Sequence, residues 1–203
     1  MSVAPLTVIA ASLIPAAAAV VGAGIAVARP PRPTVRSGVQ HIAAGVVFAA
    51  VAGELLPEVL AIHKPVQVVI GFALGIALML IVRQLTEPAA ESSVTSTGDP
   101  RGLLVAVGVD LLIDGLLVGI GFAAGGKTGV LLVVALTLEV VFLGVSTVVE
   151  LIQARVASGR AVATVAGLAA LLVIGATIGA FLLSGLSDGW LEVLLGFGAA
   201  ALL

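Results

Sequence analysis

Asp110 and Asp114 stand four residues apart in VDLLIDG, inside an otherwise apolar run, and Glu139 stands in a second such run, LLVVALTLEVVFLGV. A charge at the centre of a bilayer costs at least about 2.5–3.5 kcal/mol, so such residues tend to be functional. The spacing of Asp110 and Asp114 places them about one turn apart on one helix face. With a rise of about 1.5 Å per residue, Asp114 lies roughly 18 Å from one end of its segment. Glu139 lies roughly 15 Å from the opposite end of the next, antiparallel segment. Three carboxylates therefore converge near the membrane midplane. Every Lys and Arg lies at a segment end or in a loop. Carboxylates without an internal cation hold either protons or a metal ion. Protonated acids that only hydrogen-bond between helices are the competing account.

The elements that must position these acids are apolar helices. The chain has 203 residues, of which 61% are hydrophobic and 10% charged, with a mean hydropathy of +1.31. Soluble domains carry about 25% charge and polar helix faces, which are missing here. Seven hydrophobic segments are predicted: Leu6–Ala28, Gly38–Ile62, Val66–Val82, Gly102–Ala124, Gly129–Ile152, Val162–Leu183 and Gly189–Leu203. The first six are long enough to span a bilayer, and the last is short. The nine prolines and 25 glycines fit helices that bend or pack closely. The predicted fold is an all-α polytopic membrane bundle. Cysteine is absent, which excludes disulfides and thiolate metal sites. The net charge of -2 gives no reason to expect nucleic acid.

Loop charge sets the predicted orientation. Arg29, Arg32, Arg36, Arg83, Arg101, Arg155 and Arg160 lie in or beside the odd-numbered loops, and only Lys64 and Lys127 in the even ones. The positive-inside rule puts the odd loops in the cytosol and the N-terminus outside. The N-terminal run lacks a preceding basic region and reads as a retained helix, not a cleaved signal. Residues 1–83 form a front of three segments, 84–101 a polar cytosolic loop and 102–203 a back of four segments. The location implied is the plasma (inner) membrane of a bacterium, in contact with the lipid bilayer.

Other acids and histidines are candidates for an entrance or an exit. Glu54 and Glu58, in GELLPEV, are spaced to face one way near the outer end of the second segment. They attract cations or simply cap a solvated helix end. His41 and Glu150 lie near the cytosolic ends of the second and fifth segments, where interfacial residues are common. Asp188 and Glu192 flank Trp190, which reads as an interface anchor.

These residues resemble a known family, the ZIP (Zrt/Irt-like) divalent-metal transporters. The second segment, HIAAGVVFAAVAGELLPEV, is similar to the family's second helix, which ends in H-L-L-P-E. The family's fourth helix carries H-N-x-P-E-G. With Gly115 as its glycine, Asp110 stands at the His, Leu111 at the Asn, Ile113 at the Pro and Asp114 at the acid. The fifth helix carries H-E-x-P-E-G. Aligned on Gly144, Glu139 falls at the His, Val140 at the first Glu, Phe142 at the Pro and Leu143 at the second Glu. Positions matching ligands of the family's first metal remain acidic. Those matching the second, Leu111, Val140 and Leu143, cannot coordinate. ZIP proteins usually have eight helices, so an eighth is absent or truncated here.

The resemblance implies a divalent metal transporter, not an enzyme, carrying metal toward the cytosol through one carboxylate-rich site of Asp110, Asp114 and Glu139. It also implies an elevator-type motion and a homodimer. The substrate is a divalent ion: oxygen ligands suit hard or borderline cations such as Mn²⁺, Fe²⁺, Mg²⁺ or Ca²⁺, and Zn²⁺ or Cd²⁺ remains open. The path runs past Glu54 and Glu58, through the midplane acids, to Glu150 and His41. The alternatives are a proton- or sodium-coupled carrier and a membrane protein that binds metal without moving it.

Overall fold

A computed structural model describes residues 4–50, 52–53, 57, 65–86, 101–183 and 188–202. Every regular element among them is helical. The order is α1 (Pro5–Ala28), α2 (Pro33–Ala50), α3 (Pro65–Thr86), α4 (Arg101–Ala124), α5 (Gly126–Gln153), α6 (Ser158–Leu183) and α7 (Asp188–Leu202). Proline opens α1, α2 and α3. At the first helical position its missing N–H is one that would have no intrahelical partner anyway.

Five of these helices are long and apolar enough to cross a membrane: α1, α3 over Pro65–Val82, α4 over Arg101–Ala123, α5, and α6 over Ser158–Phe181. Their outward side chains are apolar, among them Leu13, Val69, Val105, Val134 and Phe181, all more than a third exposed. Such a belt belongs in lipid, and the protein is an integral membrane protein of the all-helical class.

Helices start earlier than hydropathy predicts. α2 begins at Pro33 instead of Gly38, α5 at Gly126 instead of Gly129, and α6 at Ser158 instead of Val162. Hydropathy marks where side chains become apolar, whereas backbone hydrogen bonding carries the helix on into interfacial polar residues. Most of the second half of the second segment, with Glu54, Glu58 and the expected end at Ile62, lies outside the described residues. So does 87–100, most of the predicted cytosolic loop.

Helices α1, α4, α5 and α6 pack as one group, and α3 and α7 pack as a pair that meets the group mainly through α4. α2 lies against α5. The pairings depend on glycine. A Cβ at Gly115 would collide with the carbonyl oxygen of Leu172, and one at Gly175 with that of Leu112. One turn on, a Cβ at Gly119 would stand 2.7 Å from the Cα of Gly179. Two small-xxx-small faces thus let the α4 and α6 backbones touch. Gly22 against Val141 and Gly144 against Ala19 join α1 to α5 in the same way, and Gly71 against Val193 with Gly196 against Val68 join α3 to α7.

The main core joins the alanine face of α1 (Ala16, Ala19, Ala23, Ala26) to Leu111 of α4, Val140 and Val148 of α5, and Leu172 of α6. A second cluster joins Ile113, Leu117 and Ile120 of α4 to Leu132 of α5 and Leu195 and Ala199 of α7. α4 therefore runs through the middle, with α6 on one side and α5 and α7 on the others.

Candidate functional site

A single residue, Gly125, separates α4 from α5. Its amide donates to the carbonyl of Gly121 at 3.0 Å and its own carbonyl accepts from Gly129 at 2.9 Å. The chain reverses within that hinge, so residues equally distant from Gly125 lie at equal depth. Asp110 is fifteen residues before it and Glu139 fourteen after it. Their levels differ by about 1.5 Å, and Asp114 lies about 4–6 Å nearer the turn. The electrostatics agree with this register. The three acids lie close enough to interact with one another.

Register also fixes the direction each acid takes. On α4, the glycine contacts turn Leu112, Gly115, Leu116 and Gly119 toward α6. At about 100° per residue, Asp110 and Asp114 point roughly 150–170° away from that face. They fall between the residues that meet α5 (Leu111, Val118) and those that meet α7 (Ile113, Leu117). On α5, Glu139 lies beside Leu132, on the side turned to the α7 cluster. All three acids thus face the seam between the four-helix group and the α3–α7 pair.

Asp114 is 2% exposed, while Asp110 and Glu139 are half-buried. One oxygen of each of two carboxylates, Asp114 Oδ2 and Glu139 Oε2, is buried with no hydrogen-bond partner. Leaving such a group unpaired costs about 1–3 kcal/mol, and more when it is charged. Four hydroxyls of the bundle bond within their own helices. Ser12 donates to the Ile9 carbonyl at 2.8 Å, Thr147 to Leu143 at 2.7 Å and Thr177 to Val173 at 2.7 Å, while Thr137 donates to Val133. These bonds are local to each helix.

Among the described residues, no group of three or more His, Cys, Asp or Glu side chains closes on a common point as a formed metal site would. The three acids share a level and a seam without surrounding one position. Nor do two grooves among the described residues reach them. One, of about 730 Å³, runs between α1 and α6, and one of about 290 Å³ lies between α1 and α5, with Phe122 of α4 at its edge; both linings lack acids.

The remaining candidates fall apart in space or out of view. His41 is exposed on α2, and its Nδ1–H donates to the Ser37 carbonyl at 2.7 Å. Glu150 is half-buried three residues before the end of α5. Glu54 and Glu58 lie outside the described residues. Leu111 and Val140, at the positions where the resemblance puts second-metal ligands, are 2% and 0% exposed and share one apolar cluster. One polar residue the sequence reading passed over is Ser146, 6% exposed on α5. Its signal was its place seven residues after Glu139, two turns along the same face.

Compared with known proteins, the chain matches no family model and no curated protein.

Proposed function

We propose that this protein is a ZIP-like carrier of a divalent cation, moving one ion at a time toward the cytosol through Asp110, Asp114 and Glu139. The observation that carries this reading is the pair of buried, unpartnered carboxylate oxygens on adjacent helices at nearly one depth. A divalent cation answers both at once, and no Lys or Arg of the sequence lies at that depth. The ion is substrate, and oxygen-only ligation favours Mn²⁺, Fe²⁺ or Mg²⁺ over ions that seek thiolate or imidazole. The placing of Leu111 and Val140 in one apolar cluster supports a single site.

The packing supports an elevator-type motion. The glycine contacts hold α4 to α6 and α1 to α5, and separately α3 to α7. The acids lie on the side of the first group that faces the second. Sliding along that seam carries them between the two surfaces and leaves these glycine-to-backbone contacts in place, while Gly198 of α7 moves past the Leu117 side chain it packs against. Loading requires the three carboxylates to rotate onto one point.

That separation also favours a second reading, a proton relay through the same acids. Uptake into proteoliposomes distinguishes the two. A carrier accumulates radiolabelled Mn²⁺ or Zn²⁺ at a rate that falls to background in an Asp114→Asn variant. A relay passes protons without metal, and that result would displace the cation reading.

A further inference from the structure

The groove of about 730 Å³ between α1 and α6 opens on the outside of the bundle, among the lipid-facing side chains of Leu13, Ile174 and Ile178. Its floor is alanine, with Ala16 and Ala169 both buried. The polar side chain of its lining, Thr177, donates its hydroxyl to the Val173 carbonyl at 2.7 Å. Toward Arg29 and Arg160 the same two helix faces stay shallow. Gly24 and Ala28 of α1 and Gly159 and Ala163 of α6 are exposed, and a Cβ at Gly24 or Gly159 would meet nothing within 4 Å. At about 100° per residue, Gly24 falls in the arc of Leu13, Ala17 and Val20, and Gly159 and Ala163 in that of Ala166, Ala170 and Thr177. A trough therefore runs on from the groove to the arginine end. Ala26 and Ala161 share one core cluster, which holds the two helix ends together there. Arg29, Arg32 and Arg160 are exposed at that end. Among the described residues it also carries Arg101 and Arg155, against one acid, Glu150. Arg160 lies about 9 Å below Ala166 and about 20 Å below Val173 along α6. Half of a bilayer, headgroups included, is about 20–22 Å.

We infer that the α1–α6 groove binds one anionic phospholipid from the leaflet on the arginine side. Its headgroup sits at Arg29 and Arg160, and one acyl chain lies over Gly24 and Ala163 and ends on the alanine floor. Three observations select this occupant. The lining gives a polar ligand nothing to bond, since the Thr177 hydroxyl is already donated, and so it suits hydrocarbon. The distance from Arg160 to Val173 matches one leaflet. The charge at the open end matches a phosphate, which a guanidinium can hold by two parallel hydrogen bonds. Near a membrane surface each arginine favours an anionic over a neutral headgroup by about fivefold, or roughly 25-fold for the pair. A seated chain also supplies the packing partners that Ala16 and Ala169 lack on their groove side. Both helices belong to the same side of the seam, so this site stands apart from the cation reading.

Native mass spectrometry tests it. Purified protein in detergent is mixed with equal amounts of phosphatidylglycerol and phosphatidylcholine, and the lipids retained on release from the micelle are counted. The wild type should keep one phosphatidylglycerol per chain, preferred over phosphatidylcholine by at least about tenfold. Arg29→Ala/Arg160→Ala should lose most of that preference and hold either lipid alike. Ala170→Trp fills the groove and should keep neither, whereas Val105→Trp, on the lipid side of α4, should behave as wild type. Thermal melts with added phosphatidylglycerol give a second readout, with a rise for the wild type and Val105→Trp and none for Ala170→Trp. Ala166→Leu, a smaller filling, replaces Ala170→Trp if that variant shows no melting transition. Equal retention of the two lipids by the wild type overturns the inference. So does a preference that survives loss of both arginines, or retention that a filled groove leaves unchanged. A lipid-free dimer that Ala170→Trp breaks would assign the groove to a second copy of the chain and overturn it as well.

Discussion

Replacing Asp114 by valine should make the metal-free protein more stable while removing its response to metal. Asp114 is 2% exposed and its Oδ2 has no partner. A buried polar group left unpaired costs about 1–3 kcal/mol. Valine is apolar, close in size and tolerated in a membrane helix, so Asp114→Val recovers that amount in EDTA. For a chain of this length 1 kcal/mol moves the melting midpoint by about 2–4 °C, which gives a rise of roughly 2–12 °C. The wild type behaves in the opposite way. An ion held only by the folded state, at 100 times its Kd, adds about 2.7 kcal/mol, or roughly 5–11 °C. The variant should show none of it. The assay is thermal unfolding in detergent micelles, in EDTA and in excess Mn²⁺, with Asp114→Asn as the isosteric control. A variant less stable than wild type in EDTA by more than about 1 kcal/mol would refute the reasoning, because the oxygen would then have a structural partner that valine breaks.

Four further outcomes follow from the packing, the backbone and the loop charge. Gly115→Ala and Gly175→Ala force a methyl onto the opposing backbone and should each cost about 1–3 kcal/mol or more in the same melts. Gly24→Ala and Gly167→Ala meet open space and should instead gain about 0.5–1 kcal/mol from helix propensity. Arg155 holds a left-handed backbone at φ 66, with the Val156 amide donating to the Leu151 carbonyl at 2.9 Å to close the end of α5. Arg155→Gly should relieve about 1 kcal/mol of that strain, read as a higher melting midpoint. Lys127→Cys should label with an impermeant thiol reagent from outside whole cells, and Arg160→Cys only after lysis, if loop charge orients the bundle.

Much of the arrangement was legible in the residues. Each of the seven apolar runs coincides with a helix over its described residues, and the short link at Gly125 sets Asp110 and Glu139 at nearly one level from spacing alone. The helix partners were harder to read. In a water-soluble bundle, polarity marks the outward face, but here buried Leu111 and lipid-facing Val105 are equally apolar. The available signal was small-residue spacing: Gly71 with Gly75, Gly115 with Gly119 and Gly175 with Gly179 are each four apart. They mark where α3 meets α7 and where α4 meets α6. Nor did hydropathy locate the helix starts, because Lys127 and Thr128 are polar yet helical. The side-chain spread of the three acids depends on rotamers, which spacing along a helix leaves open.

The most direct test of the cation site is a calorimetric titration of Mn²⁺, Zn²⁺, Cd²⁺ and Mg²⁺ into purified protein, beside the Asp114→Asn/Glu139→Gln double variant. The account predicts saturable binding of one ion per chain, lost in the double variant. Absence of binding by the wild type near neutral pH would contradict it and leave the acids as a proton path or as hydrogen-bonded struts between helices.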